Sequence, residues 1–178
     1  MGERFELDDV ETFTAGTVGL PGQRVFYLQA RSGSQVVSLR LEKQQVAALG
    51  EHLAQMLVDL PQPDYLPSGP QTDFLMPMET SWVVGGLGAA YDVSSDRIVL
   101  VAEELVIPDD DDDDDDDDDV PDFLSDEIDP GSLRVRITRA QAAAFSMVAA
   151  ELVSSGRPSC IWCGRPMDPD GHPCPRMN

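Results

Sequence analysis

The sequence predicts an α+β fold: a duplicated βββα repeat that forms one antiparallel-sheet domain with two helices, followed by a C-terminal zinc-binding tail. Three observations support this prediction. Strand-like segments followed by a helical period occur twice along the chain. The residues of the two halves align at a constant offset, and all three cysteines lie within the last nineteen residues.

The first repeat is predicted over residues 1–60. Its strand-like segments are rich in β-branched and aromatic residues, and Leu20-Pro21-Gly22-Gln23 between the first two has the pattern of a type II turn. A helix then follows, because apolar residues recur every three or four positions until Pro61. The predicted elements are strands at 13–19, 24–30 and 36–41 and a helix at 42–60.

Residues 61–80 are rich in proline and polar residues without a clear period, so they are predicted to link the two repeats. The second repeat, residues 81–154, carries an acidic insertion at 107–130 between its second and third strands. Adjacent aspartates in this insertion repel one another, so a disordered loop is expected. The predicted elements are strands at 81–88, 97–105 and 132–137 and a helix at 138–154.

The two predicted repeats align at an offset of 96 positions. Polar positions match as well as apolar ones, since Gln45 corresponds to Gln141 and Arg40 to Arg136. A three-stranded sheet with one helix has a marginal core, so the two copies are expected either to join their sheets or to pack them together in one domain. The matching apolar pairs are Leu39 and Val135, Leu41 and Ile137, Leu49 and Phe145, and Leu57 and Val153.

The chain is strongly acidic, with a formal net charge of −21 at pH 7, and it remains at −10 without the eleven aspartates of 109–119. Nucleic-acid binding depends on Lys and Arg that neutralise phosphates, and an anionic membrane surface repels such a chain. No apolar run reaches the roughly 20 residues that span a bilayer. The sequence therefore predicts no nucleic acid and no membrane among the partners.

The tail, residues 155–178, has the spacing of a zinc knuckle. Cys160 and Cys163 flank a short turn that ends in a glycine, and His172 and Cys174 follow in a proline-rich segment. Three thiolates and one imidazole fill the tetrahedral shell of Zn²⁺, which indicates a structural role, because catalytic zinc keeps one position open. The alternatives are another thiophilic metal or free cysteines on a flexible tail.

Candidate catalytic groups are scarce. His52 is the one histidine outside the tail and is predicted on the polar side of the first helix, so a Ser or Cys nucleophile has no histidine base. The segment Gly85-Gly86-Leu87-Gly88 lacks the Gly-Lys-Ser/Thr ending of a phosphate loop and is interpreted as strand glycines in close packing. The sequence therefore favours a protein that is not an enzyme.

Four arginines are candidates for binding an anionic ligand. Arg40 and Arg136 match between the repeats, and Arg24 and Arg97 each precede an apolar strand residue. Because Arg suits phosphate and carboxylate groups, these residues could form a paired anion site in a cleft between the repeats. The alternative is that they are solvated charges at strand edges.

The chain resembles an actinobacterial family, domain of unknown function 3090. The segments that carry the resemblance are Phe13-Thr14-Ala15-Gly16-Thr17-Val18-Gly19, residues 22–30, residues 41–46 and the tail from Cys160 onward. The resemblance implies a bacterial cytoplasmic setting and no particular activity. The absence of an apolar signal core and the clustered cysteines also fit a reducing cytoplasm.

The leading functional hypothesis is a non-enzymatic zinc-binding adaptor or protein-interaction module whose partner is another protein. The runner-up is a domain that binds or transforms a small anionic molecule in the cleft between the repeats, with Glu103 or Glu104 assisting the arginines. Nucleic-acid binding by the tail ranks below both, because the tail offers three arginines.

Overall fold

The computed structural model describes residues 2–63, 65, 73–77, 79–107, 129–156, 159–165, 167 and 171–176. Over these residues the chain forms strands and helices in the order ββββαβββα. The elements are β1 (Arg4–Leu7), β2 (Thr12–Val18), β3 (Val25–Ser32), β4 (Gln35–Leu41), α1 (Lys43–Val58), β5 (Val84–Asp92), β6 (Arg97–Glu104), β7 (Ser132–Ile137) and α2 (Arg139–Ser154).

The fold is a mixed α+β arrangement of two sheets and two helices. One sheet has the order β2-β3-β4 and is antiparallel, and the other has the order β1-β7-β6-β5. The structure has two sheets packed on one core, which is one of the two predicted arrangements, but the prediction of purely antiparallel pairing is wrong at one pair of strands. Strand β1 pairs with β7 in the parallel direction.

Strand β1 was missing from the sequence prediction. Its sequence Arg-Phe-Glu-Leu alternates polar and apolar residues, which is the signal that could have revealed it. Phe5 lies opposite Leu133, and Leu7 lies opposite Val135 and is buried. The strand is four residues long and its partner is more than 120 positions away, so nothing local to it indicates the pairing.

The remaining strands and both helices occur where the apolar periodicity predicts them, with shifted ends. The predicted type II turn is confirmed, because the Gln23 N–H donates to the Leu20 carbonyl at 2.9 Å and Gly22 has a φ of +95°. The largest shift is in β5, which begins at Val84 instead of residue 81. Trp82 lies beside β4, where its carbonyl accepts from the Arg40 N–H at 3.1 Å.

Both helices contribute to one apolar core with the inner faces of the two sheets. Each helix contacts a strand of the opposite half, α1 against β5 and α2 against β2. The two matched glutamines make matching contacts: Gln45 donates to the Val84 carbonyl at 3.1 Å and Gln141 to the Val10 carbonyl at 2.6 Å. The order βββα therefore occurs in both halves, while a duplication of the sequence stays a prediction.

Part of the predicted linker packs on the outer face of the three-stranded sheet. The Phe74 ring lies over Gly16 and next to the ring of Tyr27, with centroids 6.2 Å apart. The buried Gln29 side chain bonds both backbone groups of Leu75, accepting at 2.8 Å and donating at 3.0 Å. Residues 73–77 are thus fixed to the sheet.

The prediction of a disordered acidic insertion at 107–130 falls largely on residues 108–128, which lie outside the described residues. At the far edge of the insertion, the Asp129 carbonyl accepts from the Gly2 N–H at 2.7 Å, and its carboxylate pairs with Arg4. Strand β7 therefore begins beside the N-terminal segment.

Candidate metal centre

The turn from Cys160 to Arg165 has a backbone arrangement suited to metal binding. The Cys160 N–H donates to the Arg165 carbonyl and the Gly164 N–H to the Cys160 carbonyl, both at 2.8 Å. Gly164 has a φ of +73°, a conformation that residues with a side chain rarely adopt. The turn directs the backbone N–H groups of Cys163 and Trp162 at the Cys160 sulfur.

The second half of the candidate site is brought back to this turn by residues 171–174. Gly171 has a φ of +87°, which reverses the chain just before His172. The Cys160 and Cys174 sulfurs are 3.9 Å apart, and the Cys163 sulfur lies 3.6 Å from His172 Nε2. All four donor atoms lie within 4.8 Å of one another.

These distances agree with a tetrahedral site. Bond lengths of about 2.3 Å to sulfur and about 2.0 Å to nitrogen place neighbouring donors of a tetrahedron roughly 3.5–3.8 Å apart. The structure therefore brings together all four residues that the sequence singled out as ligands, and this cluster could hold a metal ion. Donors that fill all four corners leave no position for a reacting water.

The local environment prepares one of the thiols for this role. Hydrogen bonds from the Cys163 backbone, the His172 side chain and the Trp162 backbone lower the pKa of Cys160 to about 6. The pKa of Cys174 is raised: the Arg176 N–H lowers it, but burial and the nearby Cys163 and Cys160 sulfurs outweigh that bond. Cys160 is therefore a thiolate at neutral pH, the form that binds metals.

The tail is closed by its own contacts and exposes two apolar side chains. Cys160 is buried, and Arg176 donates to the Trp162 carbonyl at 3.1 Å. By contrast, Ile161 is 88% exposed and Trp162 is 58% exposed. Ile161 and Trp162 were not predicted to be functional residues from the sequence. Their position between two candidate ligand cysteines is the signal that could have indicated such a role.

The four candidate arginines do not converge on one cleft. Arg97 and Arg136 lie on neighbouring strands on the outer face of the four-stranded sheet. Arg136 pairs with Asp8 at 3.2 Å, and Arg97 donates to the Asp96 carbonyl at 3.1 Å. Arg40 is exposed on β4 of the other sheet, opposite Tyr27, and Arg24 lies near the end of α2.

The other polar candidates are separated as well. His52 is exposed and its Nε2 lies 3.4 Å from the Ala89 carbonyl, beside a groove between α1 and β5. Glu104 accepts from the Gly131 N–H at 2.8 Å and so fixes the start of β7. Glu103 is exposed on the outer sheet face.

The prediction of close packing at the glycines of β5 holds at one position and fails at another. A methyl group on Gly85 would lie 2.9 Å from the Leu105 backbone, so close packing requires glycine there, beside a bulge in the strand. A methyl group on Gly88 would meet nothing within 4 Å. Gly88 lines the groove between α1 and β5, and because it has no side chain it leaves this part of the groove unfilled.

In the described part of the chain, neither helix combines the length and apolar character that crossing a bilayer requires.

Comparison with known proteins adds a family but no activity. No curated protein and no solved structure matches the chain. A family model described as a protein of unknown function, DUF3090, matches residues 5–174, a range that ends on the last candidate ligand, Cys174. The chain belongs to this DUF3090 family.

Proposed function

We propose that Cys160, Cys163, His172 and Cys174 bind one structural Zn²⁺ and that the protein is a non-enzymatic adaptor that presents its tail to a protein partner. The observation that carries the proposal is the convergence of three thiols and one imidazole within 4.8 Å. A site filled by four protein ligands stabilises a short segment, whereas a catalytic zinc needs an open position.

Zinc is favoured over other metals by the donor set. Thiolate and imidazole donors suit Zn²⁺, and the tetrahedral spacing of the donor atoms is its usual geometry in structural sites. The thiols must stay reduced to bind it, which supports a reducing compartment such as the bacterial cytoplasm. An iron-bound form of the purified protein would contradict the choice of metal.

The surface proposed for the partner is the tip of the knuckle, formed by Ile161 and Trp162. Their exposure on a turn fixed by hydrogen bonds resembles the aromatic anchors that dominate protein interfaces. Arg165 is exposed beside them, and Arg176 bonds to the Trp162 carbonyl. The partner we expect therefore has an apolar pocket with an acidic rim.

We also propose that the two βββα halves arose by duplication. The proposal is supported by the matched capping boxes of the two helices, where Gln45 and Gln141 occupy the same helical position. Each glutamine then donates to a backbone carbonyl of the opposite half, Gln45 to Val84 at the start of β5 and Gln141 to Val10 between β1 and β2. A chain built from two copies of the second half would test this, because it is expected to fold.

Binding of a partner is tested with purified tagged protein as bait, followed by titration of any captured protein in purified form. The substitutions Ile161→Ser and Trp162→Ala are expected to abolish binding and to leave the metal content unchanged. Val93→Ser is the matched control, because Val93 is 80% exposed on the turn between β5 and β6. Equal binding by all three variants would refute the tip as the interface.

A further inference from the structure

A pocket of about 210 Å³ lies where the two halves of the chain meet, outside the metal centre. The turn at Pro21 and Gly22, the start of β3, the first residue of α1 and the end of α2 form its walls. Two of its side chains are basic and two are apolar: Arg24 and Lys43, and Phe26 and Leu152.

The two basic groups approach the same short segment. Arg24 Nη1 donates to both the carbonyl and the hydroxyl of Ser155, each at 2.9 Å. The Lys43 ammonium lies beside the next residue, since a methyl group on Gly156 would be 3.5 Å from Nζ. Two cations thus converge at the end of α2.

Within the part of the chain that the structure describes, neither cation forms an ion pair with a carboxylate. Five arginines in the same part of the chain do form ion pairs with carboxylates: Arg4, Arg31, Arg134, Arg136 and Arg139. Arg40, Arg97, Arg165 and Arg176 likewise form no ion pair among the described residues, but Arg24 and Lys43 differ from them in lining one pocket together. Their mutual repulsion would be relieved by a bound anion.

We propose that this pocket binds the oxyanion group of a small molecule, a phosphate or a carboxylate, between Arg24 and Lys43. Arg24 retains guanidinium donors beyond the Nη1 that bonds Ser155, and guanidinium and ammonium groups both suit such anions.

The volume limits what the ligand can be. Pockets for drug-sized ligands occupy roughly 300–1,000 Å³, so the volume of this pocket, about 210 Å³, suits a compact ligand. A phosphate or carboxylate carrying a short apolar group fits, because Phe26 and Leu152 supply an apolar wall beside the two charges. The ligand class is therefore a compact monoester or monocarboxylate.

The test is isothermal titration of the full chain with phenyl phosphate, benzoate and inorganic phosphate, with chloride at matched ionic strength as the blank. We expect saturable binding of phenyl phosphate or benzoate, and the stronger of the two identifies the oxyanion. Lys43→Gln and Arg24→Gln should each raise the dissociation constant about tenfold or more, the effect of losing a charge-assisted bond. Lys43 is exposed, so its variant is expected to fold normally.

Arg40→Gln and Arg97→Gln are the matched controls, since they remove the same charge elsewhere and should bind like the wild type. Two results would overturn the proposal: no saturable binding to any of the three anions, or equal weakening in the pocket variants and the controls. The first would assign Arg24 to capping the end of α2 alone.

Discussion

The pKa values of the Cys160 and Cys174 thiols are shifted in opposite directions because the neighbours of the two sulfurs differ. Cys160 receives backbone N–H groups from the turn that it begins, which stabilises its thiolate. Cys174 lies against the other sulfurs, which disfavours a second negative charge. In the metal-free protein, Cys160 is therefore expected to lose its proton at a lower pH than Cys174.

The metal-free protein should show this difference in a pH titration of thiolate absorbance. Folding of the tail lowers the pKa of the Cys160 thiol from its ordinary value near 9 to about 6. The Cys160 thiolate therefore stabilises the folded tail fully above the pKa of the unfolded thiol, and this stabilisation is lost as the pH falls through about 6. Cys160→Ser should remove the low-pH transition. A first transition that stays near 9 in the wild type would contradict the turn geometry.

The ligand set could be predicted from sequence because its members are close along the chain, so spacing alone constrains their geometry. The role of Gln29 could not be predicted, because its partner Leu75 lies 46 positions away in a segment without periodicity. In sequence, Gln29 is one polar residue in a strand. In the structure its side chain is buried and bonds to Ser38 as well.

Replacing Gln29 with alanine should lower the free energy of unfolding by about 1–3 kcal/mol, because the Leu75 backbone loses its partners. Gln35→Ala on the neighbouring strand is the control: Gln35 is exposed, and its change should stay within about 0.5 kcal/mol. Urea unfolding measures both. Faster proteolysis within residues 73–77 should accompany the Gln29 variant, and equal stability of the two variants would contradict the docking of this segment.

At the scale of elements, the two helices approach each other closely at Gly50. A methyl group on Gly50 would lie 2.7 Å from Cβ of Ala149, a contact that neither helix can relieve by rotating a side chain. Periodicity predicted which face of each helix is buried. The close approach was not predicted, because a glycine within a helix does not show which neighbour requires it.

Gly50→Ala should therefore destabilise the fold, since overpacking costs about 1–3 kcal/mol and improved helix propensity returns at most about 1 kcal/mol. Adding Ala149→Gly removes the methyl group on the facing helix, so the double variant should lose less than the sum of the two single changes. Thermal unfolding of the three variants measures the coupling. A stabilising effect of Gly50→Ala alone would show that the helices lie further apart.

At the scale of the whole molecule, we expect the core and the tail to be separate sources of stability. The apolar core includes both helices and both sheets but no tail residue among those that the structure describes. The α+β class and the Cys/His cluster could be predicted from sequence, because apolar periodicity and cysteine clustering are local signals, while the independence of the tail stays a prediction. The pairing of β1 with β7 and the contact of Trp82 with β4 were not predicted, because both join residues far apart in sequence.

Removal of the metal should accordingly disturb the tail and leave the rest of the chain folded. Chelation is expected to change the fluorescence of the half-exposed Trp162, identified by its loss in Trp162→Phe, while the far-ultraviolet circular dichroism stays the same. The melting temperature of the body should change by less than about 2 °C, which is below ~1 kcal/mol for a domain of this size. Cooperative unfolding on chelation would contradict a separate tail.

The metal content of the purified protein tests the central claim most directly. Elemental mass spectrometry on wild-type protein and on the Cys160→Ser/Cys163→Ser variant, purified under reducing conditions without chelators, gives the metal and its ratio to protein. The account predicts one zinc ion per wild-type chain and none in the variant. Wild-type protein without metal, or a variant that retains zinc, would contradict it.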